Sequence, residues 1–145
     1  MTQWPRVKWS EAGQITRLLG WADAGAAPPA AHFAELKNGA RYAEAVKFLA
    51  LALPRLETVA WAARAVRDTA PGSAPGTPEA TALKTALLWL QDPVETRRRA
   101  AFDAAQAADS ASAEAMAAMA AFYSGGSIAP IDCEPLPAPP DAAGR

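Results

Sequence analysis

Apolar residues recur at three- and four-residue spacing along almost the whole chain, and no stretch alternates apolar and polar with a period of two. That periodicity selects helices and leaves no segment patterned as a half-buried strand. The helices it outlines are built on small side chains, since roughly a quarter of the residues are alanine. Large side chains, among them five tryptophans and four phenylalanines, punctuate that background. The spacing predicts an all-α protein, a compact bundle of about six helices followed by a proline-rich C-terminal tail. The expected division is a helical domain over residues 1–126 and an extended tail over 127–145.

The first helix is expected from near Ser10, a good N-cap, and carries Ile15, Leu18, Leu19 and Trp21. Residues 24–38 read as a loop or irregular turn because Ala24-Gly-Ala-Ala-Pro-Pro opens them. A second helix over residues 38–53 places Tyr42, Ala45, Val46, Leu49 and Leu53 on its inner stripe, with Phe48 and Leu51 widening the apolar surface. Pro54 ends it and opens a third helix reaching Asp68, with the stripe Leu56, Val59, Ala63, Val66. Thr69 to Pro78 reads as a flexible connector, and Thr77 caps the helix that Pro78 begins. Asp92-Pro93-Val94-Glu95 has the form of a capping box, with Asp92 as the cap. The last helix is expected from Ser112 to Tyr123, ended by Ser124-Gly125-Gly126.

Charge and chemistry narrow the function classes. Net charge is −1, so no basic excess exists to neutralise a row of phosphates, and no nucleic acid is expected as partner. The first residues lack a secretory apolar core, and no window approaches the roughly 20 apolar residues of a membrane span, so no membrane association is expected. One cysteine, Cys133, forbids an internal disulfide and fits a reducing, cytoplasmic setting. One histidine, His32, about a hundred positions from that cysteine, is not a zinc-ligand pattern, and neither metal nor other cofactor is expected. A serine or cysteine nucleophile paired with His32 lacks any nucleophile-elbow pattern. Carboxylate pairs such as Glu57 with Asp68, or Glu95 with Asp103, read as solvated helix faces. The chain is therefore expected not to be an enzyme.

The candidate partner-binding residues are Trp61, Arg64, Arg98, Phe122, Tyr123, Ile128 and Pro130. Arg97, Arg98 and Arg99 point in three directions from one helix, and Arg98 falls beside the apolar stripe. A charge there must be paired, must snorkel, or must meet a ligand. Trp61 lies about 200° around its helix from Val59 and sits one turn from Arg64, spaced for a cation–π contact. It reads either as a second core contact or as an interface anchor. Met116, Met119, Phe122 and Tyr123 load the last helix with soft and aromatic groups suited to core filling. The proline-rich segment after Ile128 is similar to ligands of aromatic grooves, and it could equally drape over the protein's own surface.

Three segments carry a family resemblance. Leu53-Pro-Arg-Leu-Glu-Thr-Val-Ala-Trp-Ala-Ala-Arg, Trp89-Leu-Gln-Asp-Pro-Val-Glu-Thr-Arg-Arg-Arg-Ala-Ala and Met119-Ala-Ala-Phe-Tyr-Ser-Gly-Gly-Ser-Ile-Ala-Pro resemble an uncharacterised bacterial all-helical family, domain of unknown function 6931. The resemblance implies an all-helical fold with no assigned activity. It also implies an association with bacterial secretion or other multi-protein loci, which suggests an adaptor or co-chaperone role. The chain departs from the family pattern at Ala60, where relatives carry an aromatic beside the one at 61, and in its proline-rich ending. The function expected is a non-catalytic adaptor or accessory protein binding another protein. The alternative is an immunity or inhibitor protein that blocks a partner's active site, and the near-neutral charge balance argues against it. Alanine-lined faces permit a homodimer as readily as a monomer.

Overall fold

The computed structural model describes Trp4, residues 6–69 and residues 73–145. Seven α-helices occupy them: α1 (Ala12–Leu18), α2 (Pro29–Asn38), α3 (Tyr42–Ala52), α4 (Arg55–Thr69), α5 (Pro78–Gln91), α6 (Glu95–Ala107) and α7 (Ala113–Tyr123). A short 3-10 turn, Ala142–Gly144, follows. Among the described residues there is no strand, only an isolated antiparallel bridge between Ser127 and Pro137. The helices fall into two compact units, residues 1–54 with Arg145 and residues 55–144.

In the first unit, the Gln14 side-chain oxygen accepts from the Ser10 and Glu11 amides at 3.1 and 3.0 Å, so α1 starts one residue later than expected, with Glu11 as its cap. Gly20, at φ +70°, ends that turn before Trp21. The segment read as a loop contains α2. Pro29 at its first position supplies the preset φ and needs no amide partner, so the double proline begins a helix rather than prolonging a loop. Ile15, Leu36, Phe48 and Leu51 are buried with Ala12, Ala45 and Ala52, and Trp4, Trp9, Trp21 and Phe33 pack around them. The Trp9 indole N–H donates to the Leu51 carbonyl at 2.9 Å.

The inward face of α3 keeps Ala45, Phe48 and Leu51 of the expected apolar surface but turns Tyr42 and Val46 outward. Tyr42 is 63 % and Val46 50 % exposed, while Phe48, Leu51 and Ala52 face the core. Both stripes are apolar at helical spacing, so periodicity alone did not decide between them; α2 packs on the Phe48 side, where the His32 ring meets Phe48 at 5.1 Å.

The second unit is a four-helix arrangement in which α5, α6 and α7 pack on one another and α4 packs on α5 and α7. Ten of the twelve residues in its main buried cluster are alanine, leaving Val59 and Trp89 as the only larger side chains of that cluster. Such helices need no long side chains between them and approach closely. Thr77 caps α5 by accepting from the Ala80 amide at 3.3 Å, and Ser112 caps α7 by accepting from Ala115 at 3.2 Å, both as the sequence indicates. Asp92 does not cap α6: it ends α5, Val94 precedes the first turn, and Glu95 is used elsewhere. Leu56 and Met116 are exposed rather than in the core. The connector after Thr69 lies partly outside the described residues.

The segment after Gly126 is not a free arm. Ile128 N–H donates to the Leu136 carbonyl at 2.7 Å, and the Leu136 amide donates to Ser127 Oγ at 2.9 Å. These bonds fold residues 127–137 into a hairpin-like strap. The chain then runs to the 3-10 turn, which packs against α7 and α4 with Ala143 buried. Proline removes amide donors from this segment, so its carbonyls need donors from elsewhere, and arginines provide them.

Candidate functional site

Of the Arg97-Arg98-Arg99 run only Arg97 points away on its own, while Arg98 and Arg99 converge on Glu95 and the Ser127 carbonyl, and each side chain finds main-chain carbonyls. Arg97 Nη1 donates to the Leu88 carbonyl in the last turn of α5 at 2.8 Å. Arg98 Nη1 donates to the Phe122 carbonyl in the last turn of α7 at 2.6 Å, and its Nη2 donates to the Ser127 carbonyl at 2.7 Å. Arg99 donates to the carbonyls of Ala129 and Ser127 at 2.8 and 3.0 Å. Arg55 adds bonds to the carbonyls of Ser124 at 3.1 Å and Pro140 at 3.2 Å. Helix C-termini leave carbonyls unsatisfied and carry partial negative charge, so cations placed there satisfy both demands.

Glu95 organises the pair. One turn before Arg98 and Arg99 on α6, its carboxylate takes both Arg98 Nε and Nη2 at 2.7 Å and Arg99 Nε at 3.0 Å. The bonds from Arg98 are the largest cause; burial opposes them next, and the bond from Arg99 with the two positive charges completes the balance that holds the Glu95 carboxyl down at about 2. Arg98 is only 3 % exposed, and its guanidinium lies 4.6 Å from the Phe122 ring centroid. Gly126 closes over it: φ is +65°, and a β-carbon there would lie 2.7 to 2.9 Å from the guanidinium. The glycine therefore serves both the left-handed turn and the close approach.

Of the sequence-derived candidates, the structure brings Arg98, Phe122, Tyr123, Ile128 and Pro130 to one end of the second unit. Phe122 is buried, and its ring centroid lies 4.6 Å from Phe102 and 5.4 Å from Tyr123. Phe102, Phe122, Ile128, Pro130 and Ile131 line a cleft of about 400 Å³ whose rim carries Arg99 and Asp103. Trp61 and Arg64 are not part of that cleft; Trp61 is half-buried on α4 and Arg64 exposed, and no cation–π contact joins them among the described residues. Sequence reasoning passed over Arg55, Glu95 and Arg99 as parts of the site. The spacing Glu95, Arg98, Arg99 carried the signal, because i+3 and i+4 positions share a helix face.

A second cleft of about 420 Å³ opens at the other end of α7, floored by Val66, Leu83, Leu87 and Leu88, with Lys84 and Arg67 at its rim. Glu114, in the first turn of α7, lines it and accepts from Ser73 Oγ at 2.8 Å. Arg67 is paired with Asp68 at 2.8 Å. Neither cleft contains His32 or Cys133; His32 sits 3.6 Å from Glu35 in the first unit, and Cys133 is exposed on the strap. Among the described residues no group of His, Cys, Asp and Glu side chains could hold a metal ion, and no helix is long and apolar enough to cross a membrane.

These features define an all-α protein whose most elaborate polar constellation fastens its own C-terminal strap. The chain belongs to the family of unknown function DUF6931, whose model matches residues 32–145. No curated protein and no solved structure matches it.

Proposed function

We propose that the chain is a non-catalytic adaptor that binds a protein partner through the fastened strap at residues 127–137. The observation that carries this is the presentation of two aliphatic side chains on one tied loop: Ile131 is 86 % and Leu136 56 % exposed. Arg98, Arg99 and Arg55 hold the segments on either side of them. A loop ordered before binding loses less conformational entropy on association than a free tail does, so a small apolar contact on it yields more affinity. The neighbouring Phe102–Phe122 cleft extends the same apolar surface. An exposed free thiol at Cys133 suits a reducing compartment such as the cytoplasm.

Deleting the strap would remove the carbonyl partners of Arg98 and Arg99, so point substitutions are the better probe. Tagged full-length protein is used to capture partners from its native lysate, with Ile131→Asp, Leu136→Asp and Trp61→Ala in parallel. Loss of a stoichiometric partner with the first two, at unchanged circular dichroism, supports the strap as the contact. Retention with both strap variants and loss with Trp61→Ala would move the interface to α4 and refute the strap.

A further inference from the structure

We infer that the α4–α5 cleft receives the strap tip of a second copy of this chain, giving a head-to-tail contact between protomers. Cleft and tip are both aliphatic, and an exposed lysine at the cleft rim complements acidic side chains on the tip. The cleft has an aliphatic floor of Val66, Leu83, Leu87 and Leu88, and the tip offers Ile131 and Leu136, both exposed. Lys84 stands at the cleft rim on an exposed helix position, with no acidic residue three or four positions away on α5. Between the two aliphatic residues of the tip lie Asp132 and Glu134, both exposed. Among the described residues no ion pair joins Lys84, Asp132 or Glu134 to any partner within the chain. Complementary unpaired charges around matching apolar surfaces favour one orientation of encounter.

Glu114 is the group in the cleft that opposes an acidic tip. It is buried in the first turn of α7 and its carboxylate accepts from Ser73 Oγ, whereas Lys84 stands exposed at the rim where an incoming tip first meets the cleft. Within one chain the strap lies at the far end of α7 from this cleft. Glu114 and Phe122 mark the two clefts at opposite ends of α7, about 12 Å apart along its axis, and the strap is tied down at the Phe122 end. The contact is therefore heterologous: the surface on one copy differs from the surface it meets on the other. It uses the tip that the adaptor reading gives to a partner, but it stands on the cleft and does not depend on that reading.

The test is sedimentation velocity on the full-length chain from about 10 μM to about 1 mM, the range of a small interface. Wild type is expected to rise above the monomer mass of 15.1 kDa with concentration. Ile131→Asp removes the tip. Leu88→Glu blocks the cleft at a half-buried residue outside the alanine core, and Lys84→Glu, at an exposed position, reverses the rim charge should Leu88→Glu fail to fold. Each variant alone is expected to stay monomeric or to associate at least tenfold more weakly. Mixing the tip variant with a cleft variant is expected to restore a one-to-one dimer, because each supplies the surface the other lacks. A monomeric wild type at all concentrations overturns the inference. So does association that the cleft variants leave unchanged, or a mixture that shows no restored dimer.

Discussion

Replacing Gly126 by alanine tests whether Arg98 fastens the strap. Two costs are expected to add. Alanine in the left-handed region costs about 1 kcal/mol relative to glycine. Its β-carbon would also lie 2.7 to 2.9 Å from the Arg98 guanidinium, so that group must move. Arg98 is held by Glu95 and by the carbonyls of Phe122 and Ser127, and displacement gives up at least one of these charge-assisted bonds, each contributing about 1.5 to 3 kcal/mol. The expected destabilisation is about 2.5 to 4 kcal/mol. Gly76 is the matched control: φ is +84° with open space where a β-carbon would sit, so Gly76→Ala should cost only about 1 kcal/mol. Urea unfolding followed by hydrogen exchange at α7 amides reports the second unit alone. In an Arg98→Ala background, Gly126→Ala should fall to the cost of the control, giving a coupling of about 1.5 to 3 kcal/mol. A Gly126→Ala cost no larger than that of Gly76→Ala, or a coupling near zero, would refute the fastening.

Glu95 gives a pH signature. Its carboxyl is held at about 2 in the folded chain against an ordinary 4.5, so its contribution is present above pH 4.5 and is lost as pH falls toward 2. The urea midpoint of wild type should therefore drop more steeply across that window than that of Glu95→Gln; Glu95 is half exposed, and solvent screening keeps the difference modest. The inward face of α3 can be checked by a pair of substitutions. Phe48→Ala should cost about 3 to 5 kcal/mol, whereas Val46→Ser, on the stripe that periodicity favours, should change stability by no more than about 0.5 kcal/mol in circular dichroism melts.

Local signals in the sequence held where one residue type acts on its own helix. Thr77 with Pro78, and Ser112 ahead of α7, cap as their chemistry dictates. Arg98 was legible as a charge that needed pairing because it stood beside an apolar stripe, and a helix end did supply one of its partners. Signals failed where two elements compete for the same residues. Pro28 and Pro29 break a helix from within but begin one from outside, and only the packing of Leu36 and Phe33 on α3 selects the second role. The two apolar stripes of α3 are equivalent to any period analysis, so their choice belongs to tertiary contacts. Asp92-Pro93-Val94-Glu95 satisfied the pattern of a capping box, yet two arginines one turn ahead compete for Glu95 and win it. Composition marked the tail as proline-rich, but its course depends on donors from α4 and α6, far away in sequence.

The alanine core of the second unit makes its tolerance to change one-sided. Cores built on leucine and phenylalanine are most often damaged by truncation, which leaves cavities. At ten of the twelve positions in this cluster the side chain is already a single methyl, so little volume remains to be removed. Damage there comes from enlargement: an added valine or leucine must push closely packed helices apart. A lineage carrying this unit is thus barred from the usual drift among aliphatic side chains at those sites, and variation is channelled to its loops and outer faces.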